Sequence, residues 1–187
     1  MKTTRYNKGY TIVEMLIALL ITGLIASAGF EFYISVHNQT MAQEDISDMQ
    51  QNSRASLYEI GRTLRMAGYK VGTHAPYEIL DDTLRVFMRG TQPVDTVTYF
   101  LARDTRTSMV EGEESQPVYR LMKKTNSLDA QAFTDMIESV SYTVVNPTTI
   151  EVSLRVRATR SDEDFTSNDG YREFTATERV KLRNLGI

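Results

Sequence analysis

Residues 15–30 read MLIALLITGLIASAGF without a charge, and Tyr10–Phe30 as a whole is a 21-residue, mostly apolar segment whose only charged residue is Glu14. As a helix this segment is about 31 Å long, which matches the ~30 Å hydrocarbon core of a bilayer. The pattern then changes to a stripe. Ile46, Met49, Ser53, Leu57, Ile60, Leu64 and Ala67 recur at steps of three and four, the spacing of one helix face. Residues 31–67 are therefore expected to be helical. The opposite face carries Glu44, Asp45, Asp48, Gln51, Arg54, Glu59 and Arg62, and Gly68 and Gly72 act as stop signals. The stripe should pack on a sheet of the same domain. The less regular residues 31–45 suit contact with another chain.

After Gly72 the period falls to two. Thr83–Arg89, Val94–Ala102, Val118–Lys124, Val140–Val145, Ile150–Ala158 and Glu173–Arg183 read as strands. The alternation is cleanest in Ile150–Arg157, which should bury Ile150, Val152, Leu154 and Val156 and leave the charged set outside. Asn146-Pro147-Thr148 predicts the turn of a hairpin over 140–158. Leu128–Met136 reads as a short helix with Ser127 as N-cap. The sum is an α+β fold, a long N-terminal helix and an antiparallel sheet.

Composition adds little until charge is placed. The 187 residues are 41% hydrophobic and 24% charged, so a folded domain is expected rather than disorder. The net charge of −3 argues against nucleic acid as a direct partner. Lys2, Arg5 and Lys8 precede the apolar run, with no acid among residues 1–13. That asymmetry keeps the N-terminus cytoplasmic and exports the rest. Loss of residues 1–9 would remove three positive charges and leave −6. With no Cys there is no disulfide framework, thiolate nucleophile or zinc–thiolate cluster.

Glu14 separates three readings of the N-terminus. A charge at the centre of a spanning helix costs roughly 2.5–3.5 kcal/mol on insertion scales, and less near the interface. A secretory signal peptide has the same basic start and apolar run. Ala26-Ser27-Ala28 gives it a small-x-small cleavage site, releasing a soluble binding domain that begins at Gly29. A plain signal anchor leaves Glu14 as a carboxylate at the lipid interface. The third reading rests on Lys8-Gly9-Tyr10-Thr11-Ile12-Val13-Glu14-Met15-Leu16, which resembles the N-terminal signal of type IV prepilins.

That resemblance implies cleavage between Gly9 and Tyr10 by prepilin peptidase on the cytoplasmic side, and N-methylation of Tyr10 by the same enzyme. Tyr10 stands where the family more often has Phe, and keeps the ring. Glu14 becomes the fifth residue of the mature chain, where the family carries its filament-assembly glutamate. The new amine, with a reference pKa of about 7.7–8.0, is largely cationic. In a filament Glu14 can pair with the Tyr10 amine of a neighbouring subunit. An unpaired charge in that apolar bundle is costly, so correct axial register is favoured. The family often loosens its helix in mid-span, where a Pro tends to follow. This chain has Gly23 there and no Pro before Pro76, so Gly23 is read as an aid to close helix packing.

Two further stretches narrow the resemblance. Arg54–Tyr69, ending in Met66-Ala67-Gly68-Tyr69, and the C-terminal Arg179–Leu185 are similar to PilW-type minor pilins. J-type pseudopilins of type II secretion have a similar helix and form the alternative. The implied organisation is a prepilin leader at 1–9, a transmembrane and filament-core helix at 10–30, an amphipathic helix at 31–72 and a periplasmic β-rich pilin domain at 73–187. The implied location is the inner membrane, single-pass, and then the pilus. The implied partners are other minor pilins, the major pilin, prepilin peptidase, the inner-membrane assembly platform and the lipid bilayer.

No catalytic constellation is found. His37 and His74 are the only histidines and read as surface or packing residues; GxSxG, HExxH, Walker A and GxGxxG patterns are lacking. No cofactor or metal is expected. Residues 104–117 and 160–170 read as polar surface loops. Asp162, Asp164, Asn168 and Asp169 carry the oxygens a calcium ion would need, but their spacing does not follow the EF-hand and Gly170 comes too late.

Overall fold

The computed structural model describes residues 9–89, 94–104, 118–161, 165, 167 and 170–184. Lys2, Arg5 and Lys8, the loop 105–117, the four oxygen-bearing residues of 160–170 and Leu185 lie outside the described residues. The chain divides into two compact units, residues 1–43 and 44–187. One helix, α1 (Ile12–Met66), contributes to both.

In the first unit α1 is regular and its apolar side chains are exposed, Leu16, Leu20, Leu24 and Phe30 among them. The helix is unbroken through Gly23, and a Cβ added there would meet nothing within 4 Å. Packing within this chain therefore does not require the glycine. His37 stacks on Tyr33, ring centroids 6.0 Å apart.

In the second unit the rest of α1 lies on a seven-stranded antiparallel meander in the order β1-β2-β3-β4-β5-β6-β7. The strands are β1 (Tyr77–Leu80), β2 (Thr83–Met88), β3 (Asp95–Arg103), β4 (Tyr119–Thr125), β5 (Gln131–Asn146), β6 (Thr149–Ser161) and β7 (Tyr171–Lys181). Sequential neighbours pair throughout, the simplest order for short connections. The core lies between helix and sheet. Met49, Leu57, Ile60, Leu64 and Ala67 from the helix side meet Leu84, Val86, Tyr99, Leu121, Ile137 and the buried side of β6. The apolar stripe read from the sequence is thus the buried face, and Ile150, Val152, Leu154 and Val156 are all buried as expected.

Polar ties fix the helix on the sheet. The Thr63 and Tyr99 hydroxyls share a buried hydrogen bond of 2.8 Å. Burial pushes the Tyr99 phenol up to about 12, against the pull of the Thr63 bond. Lys123 on β4 donates to Glu59 at 2.6 Å, and Arg65 to Glu178 on β7 at 2.9 Å. Glu59 therefore faces the sheet, a correction to its assignment on the outward face. Gly61 allows close approach: a Cβ there would lie 3.1 Å from Glu178 Oε1.

The helix ends at Met66, and the chain turns through Gly68 at φ 79°. A Cβ on Gly68 would sit 2.1 Å from the Asn184 carbonyl oxygen. The turn is closed by Gly68 N–H donating to Phe87 O and by Asn184 Nδ2 donating to Arg65 O.

Three readings of the soluble part need correction. Leu128–Met136 is not a helix; from Gln131 it is the start of β5. β5 is irregular against both neighbours, with register shifts at Tyr119–Met122 of β4 and at Ile137–Ser139, and Met136 has φ 64°. These bulges break the two-residue period that would have marked a strand. β1 was not foreseen. It is four residues long and joined to β2 by Asp81-Asp82, with Asp81 at φ 50°, a two-residue hairpin loop that Asp tolerates. Arg157, expected outside, is buried with its guanidinium 4.5 Å over the Tyr171 ring. The hairpin at 146–149 is as expected, and Asn146 Oδ1 accepts from Thr148 N at 2.9 Å.

Candidate functional site

The chemistry singled out by the sequence sits at the start of α1. Gly9 and Tyr10 precede the helix in non-helical backbone, and Tyr10 is 84% exposed. The Gly9–Tyr10 peptide bond is therefore outside the helical hydrogen-bond ladder, and both residues are exposed among the described residues. A Cβ on Gly9 would meet nothing within 4 Å, so packing among the described residues does not demand a small residue there.

Thr11 is the N-cap of α1 and Glu14 is the third helical residue. Thr11 N–H donates to Glu14 Oε2 at 2.9 Å, and the Thr11 hydroxyl donates to the same oxygen at 3.1 Å. Glu14 N–H approaches Thr11 Oγ1 at 3.3 Å. This is a reciprocal capping box, the T-x-x-E pattern that satisfies two of the donors a helix start leaves open. Met15 N–H donates to Thr11 O at 3.2 Å and closes the first turn. In an apolar surrounding each donor left open would cost several kcal/mol, roughly, because no water replaces the partner.

The cap answers part of the puzzle that Glu14 poses. The carboxylate has a partner within its own chain, and it sits at the positive end of the helix dipole. Oε2 is engaged by Thr11, while Oε1 has no hydrogen bond among the described residues. One oxygen thus orients the group and the other remains open to a second donor. The sequence readings of Glu14, a pair with a neighbouring subunit's amine or a carboxylate at the lipid interface, did not include a partner within its own chain. Thr11 and Glu14 three apart, just before an apolar run, were the signal of the capping box.

The structure brings Gly9, Tyr10 and Glu14 together within one helix start. His37 is on α1 in the first unit, and His74 lies in the second, between Gly72 and the start of β1. Among the described residues no group of His, Cys, Asp or Glu is arranged to hold a metal. One helix among them, α1, is long and apolar enough to cross a membrane, and its apolar window is wholly exposed within the protein.

Residues 4–30 match the prokaryotic N-terminal methylation motif. No curated protein and no solved structure matches the chain. The motif indicates a type IV pilin-like or pseudopilin protein, and it implies processing by prepilin peptidase and assembly with other pilins. The motif and the exposed apolar helix are consistent with membrane anchoring through the N-terminus.

Proposed function

We propose that this chain is a minor type IV pilin of the PilW type, a structural subunit that helps initiate pilus assembly and sits at or near the pilus tip. Prepilin peptidase cuts between Gly9 and Tyr10 and methylates the Tyr10 amine. The mature chain stays in the inner membrane through residues 10–30, with its β-rich domain in the periplasm, until it joins other minor pilins and the major pilin. All subunits enter with the same end cytoplasmic, so their long helices run parallel in the filament.

The observation that carries the reading is the methylation motif at residues 4–30 on an exposed apolar helix whose first turn presents Glu14. The cap aims that carboxylate and leaves Oε1 for the Tyr10 amine of a neighbour. The Met66-Ala67-Gly68-Tyr69 run supports the PilW-type assignment. Its glycine is required by the turn beneath Asn184, which ties the motif to the way the helix leaves the domain.

Deletion of the gene tests the role. Loss of surface pili, restored by the intact chain, is expected. Normal piliation with exoproteins retained in the periplasm would instead identify a J-type minor pseudopilin of a type II secretion system. Normal piliation and normal secretion would refute both.

A further inference from the structure

The two edges of the sheet differ. β1, at one edge, has four residues, and β7, at the other, has 11. Shortness is one of the ways an edge strand avoids pairing with another chain. β7 is long, contains no Pro, and pairs with β6 without a register shift from Thr149↔Lys181 to Arg157↔Glu173. Leu182 N–H donates to Thr148 O at 2.8 Å just beyond the strand. Hydrogen-bonded pairs recur at every second residue of an antiparallel ladder. With the register Ile150↔Val180, Val152↔Glu178, Leu154↔Ala176 and Val156↔Phe174, the even-numbered residues of β7 therefore bond to β6. The N–H and C=O groups of Glu173, Thr175, Thr177, Arg179 and Lys181 point to the open side. Among the described residues no backbone hydrogen bond reaches them from that side.

The side chains along this edge state what it takes. Phe174 and Ala176 pack against the core and are only half-buried. Thr175 and Thr177 are exposed on the opposite face of the sheet, and exposed Lys181 at the end of the strand has no ion-pair partner among the described residues. An added strand gains backbone hydrogen bonds from the open row, and its alternate side chains meet these neighbours. Apolar residues suit the positions beside Phe174 and Ala176, and an acid suits the position beside Lys181. A second copy of this chain fits poorly. Antiparallel β7–β7 pairing runs the two copies of α1 in opposite directions, against the parallel arrangement of the pilin reading. Parallel β7–β7 pairing sets Arg179 and Lys181 of both copies together, which is repulsive. β1 of another copy, with four residues, leaves most of β7 unpaired.

We infer that the open edge of β7 is a docking site for an extended segment of a different protein, which adds to the sheet as a further strand with alternating apolar residues and an acid near Lys181. The inference rests on the pilin reading above for the exclusion of an antiparallel second copy. It places a partner contact in the β-rich domain, separate from the Glu14–amine pair.

Proline distinguishes backbone pairing from side-chain contact. Thr175→Pro with Thr177→Pro removes two outward donors and leaves the bonds to β6, which run through the even-numbered residues. Thr175→Val with Thr177→Val changes the same side chains and keeps both donors. Each full-length variant is expressed in the deletion host. The valine pair should restore surface pili. The proline pair should give about ten-fold fewer, from the loss of two hydrogen bonds, with the urea midpoint of the purified chain unchanged. Normal piliation with the proline pair overturns the inference, and so does an equal loss with the valine pair.

Where the proline pair lowers the midpoint, amide hydrogen exchange on the unaltered chain decides. In the chain purified alone in detergent, about half of the amides of Tyr171–Lys181 should exchange fast. In membranes of a piliated host the same amides should be protected. Equally fast exchange in the membranes overturns the inference. Protection already present in the purified chain does so too, because the edge is then covered by this chain or by a second copy. The pilin reading fails separately, when the deletion host itself keeps normal pili and normal secretion, and amide exchange still reads the edge in that case.

Discussion

Removing the two halves of the capping box separately tests how Glu14 works. Glu14→Ala removes both the cap and the charge. If the carboxylate pairs with a neighbour's amine in an apolar bundle, the variant leaves that amine buried and alone, at about 3–5 kcal/mol. That is more than about a 100-fold loss of incorporation at equilibrium. Glu14→Gln keeps an oxygen that can accept from Thr11 N–H but cannot pair as an anion, so it should assemble nearly as poorly as Glu14→Ala. Thr11→Val keeps the charge but removes the hydroxyl that holds Oε2 at 3.1 Å. Loss of an N-cap costs about 1 kcal/mol, an effect of about five-fold. The assay is the ratio of variant in sheared filaments to variant in the membrane pool, with N-terminal processing checked by mass. The order expected is Thr11→Val above Glu14→Gln, and Glu14→Gln close to Glu14→Ala. Normal incorporation of Glu14→Gln would refute the charge argument. Thr11→Val at the level of the unmodified chain would refute the positioning argument.

Other predictions concern the soluble unit. Gly68→Ala forces an L-residue to φ 79° and a Cβ to within 2.1 Å of a backbone oxygen; a urea melt should show about 2–4 kcal/mol lost, and an unchanged midpoint would contradict the turn geometry. Tyr99→Phe leaves the Thr63 hydroxyl buried without its 2.8 Å partner, for about 1–3 kcal/mol. Adding Thr63→Val should recover part of that loss, and strict additivity would show the bond to be unimportant. Glu138 is raised above the ordinary carboxylate range by burial and then by the Glu173 carboxylate, with Arg155 and Arg157 pulling the other way. The folded state thus keeps a proton that the unfolded chain has released. The stability this group contributes is present at low pH and is lost as pH rises through its raised value. Glu138→Gln should raise the melting temperature near neutral pH and lose that advantage under acid conditions; a pH-independent effect would oppose the assignment.

Much of the fold was legible because burial imposes simple periods. The stripe from Ile46 to Ala67 and the alternation in β6 each have one buried face, and each appears in the sequence at its own spacing. What failed had a local cause. β5 carries bulges and a positive-φ Met136, so its apolar positions do not alternate. β1 is too short to show a period. Glu59 and Arg157 were placed by charge, but Lys123 draws one onto the sheet and the Tyr171 ring covers the other. At the N-terminus the spacing Gly9-Tyr10…Glu14 falls within residues 4–30, which match the methylation motif. The Thr11–Glu14 bonds are local, three residues apart, and are marked in the sequence only by a T-x-x-E spacing ahead of the apolar run.

The central claim is that the exposed apolar helix is an assembly element made by cutting before Tyr10. The intact mass and N-terminal sequence of the protein recovered from membranes of a host with active prepilin peptidase test it directly. A chain beginning at N-methylated Tyr10 is the predicted result. A chain beginning at Gly29, or one still beginning at Met1, would contradict it.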